Sequence, residues 1–204
     1  MELTEAVRRR RMVRGFAATL LDPAVVEGLL ADALRAPTAG HTGGTSWLAL
    51  EGAEQTGAYW EHATTAQWRA SSGRWPGLSR APVVALSLTS PRAYVERYGE
   101  GDKSSSGLGP PATGGGGESA WPVPYWFGDA AFATMTLLLG AVDRGLGACF
   151  LGCFRGEAAL LGALGVPEDW RLFGAVLLGH PDGSDYPSAS LDRVHAPRVH
   201  RGRW

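Results

Sequence analysis

Arginine is concentrated near the start of the chain. Four consecutive arginines, Arg8–Arg11, end a predicted helix, and Arg14 follows two apolar residues later. An arginine side chain presents a planar fork of donors that matches the oxygens of a phosphate group. The cluster is therefore a candidate site for a phosphorylated ligand. A solvated basic helix end, favoured by the helix dipole, or a nucleic-acid patch would use the same residues.

A second candidate is the stretch Ala36–Trp47, where Pro37 ends one predicted helix and small residues lead into a strand. Such residues let backbone N–H and C=O groups approach a planar ligand closely. An ordinary helix-to-strand connection explains the composition equally well, so the stretch identifies a ligand site only in combination with others.

No other residues form a recognisable catalytic arrangement. The histidines are scattered, and the chain contains no serine elbow, P-loop or HExxH motif. Cys149 and Cys153 are spaced unlike paired zinc ligands, so we predict two structural cysteines and no metal site. Gly145 and Gly147 mark the end of an apolar helix. We therefore expect no catalytic side chain, and any demanding chemistry would be carried by a cofactor.

The elements that must position these stretches are mostly helical. Hydrophobic spacing and capping signals predict helices over 4–11, 23–36, 58–69, 130–144 and 158–164, and strands over 46–51, 82–88, 148–152 and 172–178. This order predicts an α+β fold, with helices over a mixed sheet. Residues 90–126 are polar and glycine-rich and are interpreted as a long mobile lid. The chain 1–204 is expected to be one domain, with 182–204 as a C-terminal extension.

Bulk composition excludes several classes of protein. Hydrophobic residues make up 45% of the 204 residues and charged residues 19%, as expected of a globular chain. No apolar run is long enough to cross a membrane, and the basic N-terminus lacks the apolar stretch of a secretory signal. The net charge of -1 argues against nucleic-acid binding driven by bulk charge. Two cysteines cannot form a disulfide framework, so we expect a cytoplasmic protein.

Taken together and in order, these stretches resemble the nitroreductase family. Arg10–Phe16 is similar to the family's Arg-Arg-Ser-x-Arg-x-Phe motif, and Ala36–Trp47 to its Ala-Pro-Ser-x-x-Asn-x-Gln-x-Trp motif. Ala141–Gly152 resembles the family's helix that ends in Gly-Leu-Gly. Leu178–Pro181 is similar to its Gly-Tyr-Pro ending, and Arg193–Pro197 to its basic tail. Each motif is weakly specific, whereas their common order is fairly specific.

The resemblance implies an α+β sandwich with a mostly antiparallel central sheet, assembled as a domain-entwined homodimer. One FMN would lie at each of two subunit interfaces. Arg10 and Arg11 would approach its phosphate and ribityl chain, and Arg193 and His195 would close over the phosphate. Arg14 would lie near the N1 and O2 edge of the flavin, where positive charge raises the reduction potential.

The other implied contacts concern the flavin ring. Residues 37–41 would come from the partner subunit, and Leu151 and Gly152 would present backbone groups near N5 and O4. Trp126 and Phe127 are the candidate stacking residues for substrate. The implied FMN-contacting residues are Arg10, Arg11, Met12, Arg14, Pro37, Thr38, Ala39, His41, Leu151, Gly152, Arg193 and His195.

Three positions depart from the family pattern. Met12 replaces a serine that usually helps to hold the flavin, and Gly43 stands where the family commonly has glutamine. His195 replaces an arginine or lysine, so one phosphate contact would titrate near neutral pH. These differences are compatible with two alternatives: FMN binds more weakly than in the family, or the pocket suits a modified flavin.

The implied activity is ping-pong hydride transfer from NADPH or NADH, through FMN, to a small oxidised acceptor such as a nitroaromatic or quinone. The partners would be a second copy of the chain and a small-molecule substrate, with no nucleic acid and no membrane. Fold resemblance alone does not fix the reaction. A flavin-dependent oxidase or dehydrogenase of a biosynthetic intermediate, and a non-catalytic flavin-binding protein, are the alternatives.

Overall fold

A computed structural model of the protein describes residues 1–71, 75–185 and 199–203. Within these ranges the chain forms seven α-helices and four β-strands, which confirms the predicted α+β fold class. The helices are α1 (Leu3–Arg9), α2 (Pro23–Ala33), α3 (Gly52–Ala63), α4 (Ala66–Ser71), α5 (Pro91–Tyr98), α6 (Tyr125–Asp143) and α7 (Glu157–Ala163). The strands are β1 (Thr45–Glu51), β2 (Val83–Thr89), β3 (Gly147–Leu151) and β4 (Arg171–Gly179).

The four strands form one sheet in the order β1-β2-β4-β3, and every neighbouring pair is antiparallel. Side chains alternate across β2, so Val84 and Leu86 face one core while Val83 faces the other. All residues of β2 are buried, which explains its nearly continuous apolar sequence. The mostly antiparallel prediction is confirmed, and among the described residues the parallel contribution is an isolated bridge between Met12 and Ala148.

Helices cover both faces of the sheet. α3 and α7 bury Tyr59 and Leu160 against one face, and α2 and α6 bury Leu29 and Leu137 against the other. Burying each such side chain contributes about 2 kcal/mol. The result is a sandwich of helices, sheet and helices, whose two sheet edges are formed by β1 and β3.

Helix α6 is apolar on nearly all sides. By length and composition it is long and apolar enough to cross a membrane, which the sequence analysis did not predict, and 44% of its most apolar stretch is buried inside the molecule. A single such helix is weak evidence for a membrane span, because core helices of soluble proteins have the same length and composition. Phe132 and Met135 point outward and are 55% and 40% exposed. α1 packs on α6 and adds Leu3 and Val7, which are also exposed. We refer to these four exposed residues, on two helices that are in contact, as the outer apolar face, and exposed apolar side chains of this size make it a candidate for coverage by another protein.

The excursion of residues 90–126 contains more structure than its composition predicted. Ser90 accepts a hydrogen bond from the backbone N–H of Ala93 and starts α5, with Pro91 in the first turn. Tyr94, Trp121 and Trp126 form a buried aromatic cluster under this segment. The segment is therefore anchored to the body of the protein through aromatic burial.

Candidate functional site

The N-terminal cationic segment, residues 10–16, lies along the outer edge of β3. Met12 forms a bridge with Ala148, and the Val13 N–H donates to the Ala148 carbonyl at 2.9 Å. The Met12 thioether accepts a hydrogen bond from the Phe150 N–H at 3.4 Å. The side chain that replaces the family's serine is thus directed at β3, and the segment is fixed to the strand by its backbone.

Arg14 is held on several sides. Its guanidinium donates to the Met12 carbonyl at 3.1 Å and lies 5.0 Å above the centroid of the Trp75 ring. Its backbone N–H donates to Asp185 at 2.7 Å. The cation–π contact and the hydrogen bonds hold a half-buried positive charge in a fixed position.

Arg10 and Arg11 differ in what their guanidinium groups contact. Arg11 is exposed and donates to the carbonyls of Arg8 and Arg10 at 2.7 and 2.9 Å, so it caps the end of α1. The Nη1 atom of Arg10 is buried and has no hydrogen-bond partner within the described part of the chain. A buried donor without an acceptor is costly, so Arg10 is the better candidate for an anionic ligand.

The small-residue loop before β1, residues 36–44, is held by side chains from α5 and α6. The Ala39 N–H donates to the Asp129 carboxylate at 2.7 Å, and Arg97 Nε donates to the Gly40 carbonyl at 2.9 Å. His41 has a positive φ of 56°, a backbone conformation that is uncommon for a residue other than glycine. Thr38 accepts a hydrogen bond from the Gly43 N–H at 3.0 Å and closes the loop.

Asp129 is a site residue that no motif indicated. Its carboxylate is 4% exposed and also accepts a hydrogen bond from the Tyr94 hydroxyl at 2.8 Å. Burial, and then this hydrogen bond, raise the pKa of Tyr94 well above its usual range, which keeps the hydroxyl a donor. A buried aspartate without an ion pair must be satisfied by such donors. The sequence does not show that Asp129 is buried, and its burial is the signal that it has a role.

One chain does not bring the two candidate regions together. The loop leads into β1, whereas the cationic segment lies on β3, and these strands form opposite edges of the sheet. Three strand spacings separate the edges, which is about 14 Å. Within one chain the two candidate regions are therefore separated by the width of the sheet.

The remaining predicted positions fall into three groups. Leu151 ends β3, and Gly152 follows it beside a cavity with a volume of about 360 Å³. Phe127 is half-buried and lies 6.4 Å from the Phe173 ring, whereas Trp126 is only 5% exposed. Trp126 thus has little ring surface to offer a substrate, because it fills the aromatic cluster. Arg193 and His195 lie outside the described residues.

The thiols do not form a reactive or metal-binding site. No group of three metal-binding side chains occurs in residues 1–71, 75–185 and 199–203. Burial raises the pKa of Cys149 to about 11 and also raises that of Cys153. Both thiols stay protonated at neutral pH and are poor nucleophiles.

Comparisons with known proteins agree with this architecture. The chain matches the nitroreductase family over residues 7–180. It is 38% identical over 90 residues to an Archaeoglobus fulgidus protein named NADH dehydrogenase/NAD(P)H nitroreductase. That match covers 42% of this chain and 51% of the relative, so it spans about half of the relative's length.

Two solved structures show the same fold. The nitroreductase CinD from Lactococcus lactis, in complex with 4-nitrophenol, has a TM-score of 0.70 and 17% identity, with 97% of this chain and 100% of that chain covered. A nitroreductase from Desulfovibrio desulfuricans, in complex with FMN, has a TM-score of 0.61 and 21% identity, with 96% and 98% covered.

An antiparallel sheet between two helix layers, with a cationic segment on one edge and a small-residue loop at the other, defines an α+β protein whose candidate site is divided between the two edges. This chain belongs to the nitroreductase family, and the resemblance predicted from its motifs is confirmed. The residues present fit a phosphorylated flavin: Arg10 has a buried donor without an acceptor, and Arg14 holds a fixed positive charge.

Proposed function

We propose that the protein is an FMN-dependent oxidoreductase that passes hydride from NADH or NADPH to a small oxidised acceptor, such as a nitroaromatic or a quinone. The observation that carries this proposal is the buried Nη1 of Arg10, which has no acceptor among the described residues although the segment around it is fixed to β3. A phosphate oxygen is the acceptor that suits a guanidinium best. The names of the relatives support a nicotinamide reductant.

The proposed enzyme works as a homodimer. The loop at β1 and the cationic segment at β3 are on opposite edges of the sheet, so two chains are needed to bring them onto one flavin. The outer apolar face of Leu3, Val7, Phe132 and Met135 is the surface that a second copy would cover. Because these side chains are 40–68% exposed in one chain, covering them would contribute about 4 kcal/mol before the entropy cost of association.

In the proposed ping-pong mechanism, FMN, when bound, would supply the hydride chemistry between the nicotinamide and the acceptor. The residues of the chain would bind and orient FMN and adjust its reduction potential. Arg10 binds the phosphate, and Arg14 places positive charge where the reduced flavin becomes anionic. Gly152 would present its backbone to the flavin ring, and the small-residue loop of a second copy would cover another side. No side chain acts as a general acid.

The first test is the absorption spectrum of the purified protein with and without NADPH. We expect bound flavin, bleaching by NADPH without oxygen, and recovery on addition of a nitroaromatic or quinone. Arg10→Ala should weaken FMN binding at least tenfold because it removes a charge-assisted hydrogen bond, and Arg11→Ala should weaken it much less. A correctly folded protein that binds no FMN would overturn the proposal.

The same experiment separates the alternatives. Oxygen consumption with a reduced organic substrate and without NADPH would indicate an oxidase. Tight FMN binding with no NADPH oxidation for any acceptor would indicate a flavin-binding protein without activity. Light scattering during size-exclusion chromatography measures the mass, and a monomer that holds FMN would contradict the proposed dimer.

A further inference from the structure

A cavity of about 360 Å³ lies where β3 ends and the chain turns toward α7. It is large enough for a small aromatic molecule, since ligand pockets start at about 300 Å³. Thr64 and Trp68 form one side, and Gly152, Phe154 and Arg155 form the other. The cavity adjoins Gly152, the residue that the proposed function places beside the flavin ring.

Two of the residues that line this cavity are aromatic. Phe154 is 95% exposed, the highest value among the large hydrophobic side chains of the described residues. Trp68 is stacked on the buried Trp60, with 5.4 Å between centroids and an angle of 10°, so the plane of its ring is fixed. Trp68 is partly buried and is also one of the residues that line the cavity. A planar aromatic molecule is the ligand that such rings favour.

The cavity also carries a positive charge. Arg155 is exposed and forms no ion pair within residues 1–71, 75–185 and 199–203, whereas Arg80, Arg97 and Arg144 each pair with a carboxylate. The nearest acidic residue in sequence, Glu157, instead accepts a hydrogen bond from the Leu172 N–H at 3.3 Å. The Arg155 guanidinium is thus free to bind an anionic group on a ligand.

The turn that carries Phe154 and Arg155 is fixed to the end of α3. Gly156 has a φ of +66°, and a Cβ atom at this position would overlap the His62 carbonyl. Only glycine fits such a position without strain. The two side chains therefore project from a turn whose backbone is defined by packing.

We propose that this cavity binds a planar aromatic carboxylate, with the ring between Phe154 and Trp68 and the carboxylate on Arg155. Binding itself follows from the rings and the charge. The further step, that the cavity selects the acceptor of the enzyme, rests on the proposed function through the position of Gly152. The preferred acceptors are then nitroaromatic or quinone-like molecules with an acidic group.

The test compares 4-nitrobenzoate with the uncharged 4-nitrobenzamide as acceptors for the holoenzyme. We expect a KM for 4-nitrobenzoate about tenfold lower, because a charge-assisted hydrogen bond contributes about 1.5 kcal/mol. Arg155→Gln should reduce the ratio of the two KM values to about one, and Phe154→Leu should raise both. Arg92→Gln, on the surface of α5, is the matched control and should change neither. Equal KM values in the unchanged enzyme would overturn the proposal.

A second measurement does not depend on flavin. Titration of benzoate and benzamide onto the purified protein, followed by tryptophan fluorescence, should show tighter binding of benzoate that Arg155→Gln removes. If the protein binds no flavin but keeps this preference, the proposed function fails and the cavity assignment stands. If it reduces acceptors but binds benzoate no better than benzamide, the cavity assignment fails alone.

Discussion

The cationic segment at β3 and the small-residue loop before β1 are held in place by different kinds of contact. Backbone groups fix the segment: Val13 donates to the Ala148 carbonyl, and the Gly15 carbonyl accepts from the Asp182 N–H at 3.1 Å. Side chains fix the loop, through the Asp129 carboxylate and the Arg97 guanidinium. The segment therefore depends mainly on close approach between backbones, whereas the loop depends on a few distant side chains.

This difference predicts how each region responds to substitution. Backbone contacts tolerate most side-chain changes but fail where a new Cβ atom enters a tight approach. A loop fixed by one buried carboxylate fails when that carboxylate is removed.

The largest effect is expected for Asp129→Ala. This substitution leaves the Ala39 N–H and the Tyr94 hydroxyl without an acceptor and creates a small cavity. We therefore expect the free energy of unfolding to fall by about 4 kcal/mol. Urea denaturation measures this change. Asp32→Ala is the control, because Asp32 forms an exposed ion pair with Arg144 and should contribute less than about 1 kcal/mol. Similar losses for both variants would show that the loop does not depend on Asp129.

Alkaline pH should destabilise the region beneath the cationic segment. Burial raises the pKa of Cys149 from 9.0 to about 11. The unfolded thiol therefore loses its proton first, and stability that is present below pH 9 is lost as pH rises toward 11. The contribution of Cys149 to this loss is about 3 kcal/mol. Denaturation curves at several pH values measure it, and the slope should be smaller in Cys149→Ala than in Cys153→Ala.

Gly77→Ala tests the close approach at the segment. A Cβ atom at Gly77 would lie 2.6 Å from the Gly15 Cα and 2.7 Å from the Arg14 carbonyl oxygen, which are backbone atoms that cannot rotate away. We expect a loss of about 2 kcal/mol and faster release of bound FMN. Gly57→Ala, in α3 with no atom near the new Cβ, is the control and should be neutral or stabilising. An unchanged Gly77→Ala protein would argue against the described packing.

Arg14→Ala should have a small effect on stability and a clear effect on the proposed chemistry. Loss of the contact with the Trp75 ring costs about 1 kcal/mol. The reduction potential of the flavin should fall and its reduction by NADPH should slow, since positive charge near the anionic reduced form is lost. Arg14→Lys keeps the charge and should restore part of the potential. Reduction kinetics that match the unchanged protein would remove Arg14 from the proposed site.

The smallest effect that we expect is the coupling free energy between the two regions, measured from unfolding. Asp129→Ala and Gly77→Ala lie at opposite edges of the sheet, so their effects on unfolding should add within about 0.5 kcal/mol. Their effects on FMN release should not add, because both regions contact one flavin in the proposed dimer. A strong coupling in stability, or simple addition in FMN release, would contradict the divided site.

The sequence predicts the central elements well because their patterns are strong. The strand expected over 82–88 is observed at Val83–Thr89, and the strand over 172–178 at Arg171–Gly179. Both are apolar runs with clear ends. The helix expected over 58–69 is instead two helices, because Thr64 is extended and Arg69 turns back to donate to carbonyls at the end of α3. Such a local competition between helix and capping is not visible in hydrophobic spacing.

The candidate site was predictable only in part. Its motifs are contiguous stretches, and the Arg10–Phe16 motif was recognisable as such. The groups that hold the loop are not contiguous with it: Asp129 and Arg97 are 90 and 57 residues away from their partners. Ser90-Pro91 is a typical pattern for the start of a helix, and α5 begins there, but the glycine-rich sequence that follows favoured a loop. Burial and long-range contact decide these roles.

The strand order has a consequence for how the protein is made. β4 pairs with both β2 and β3, and Val83 has its partner in Leu178. Synthesis from the N-terminus therefore leaves β2, an apolar strand, with one open edge until nearly the whole chain exists. Pairing across such long stretches of sequence slows folding and exposes apolar edges to other nascent chains.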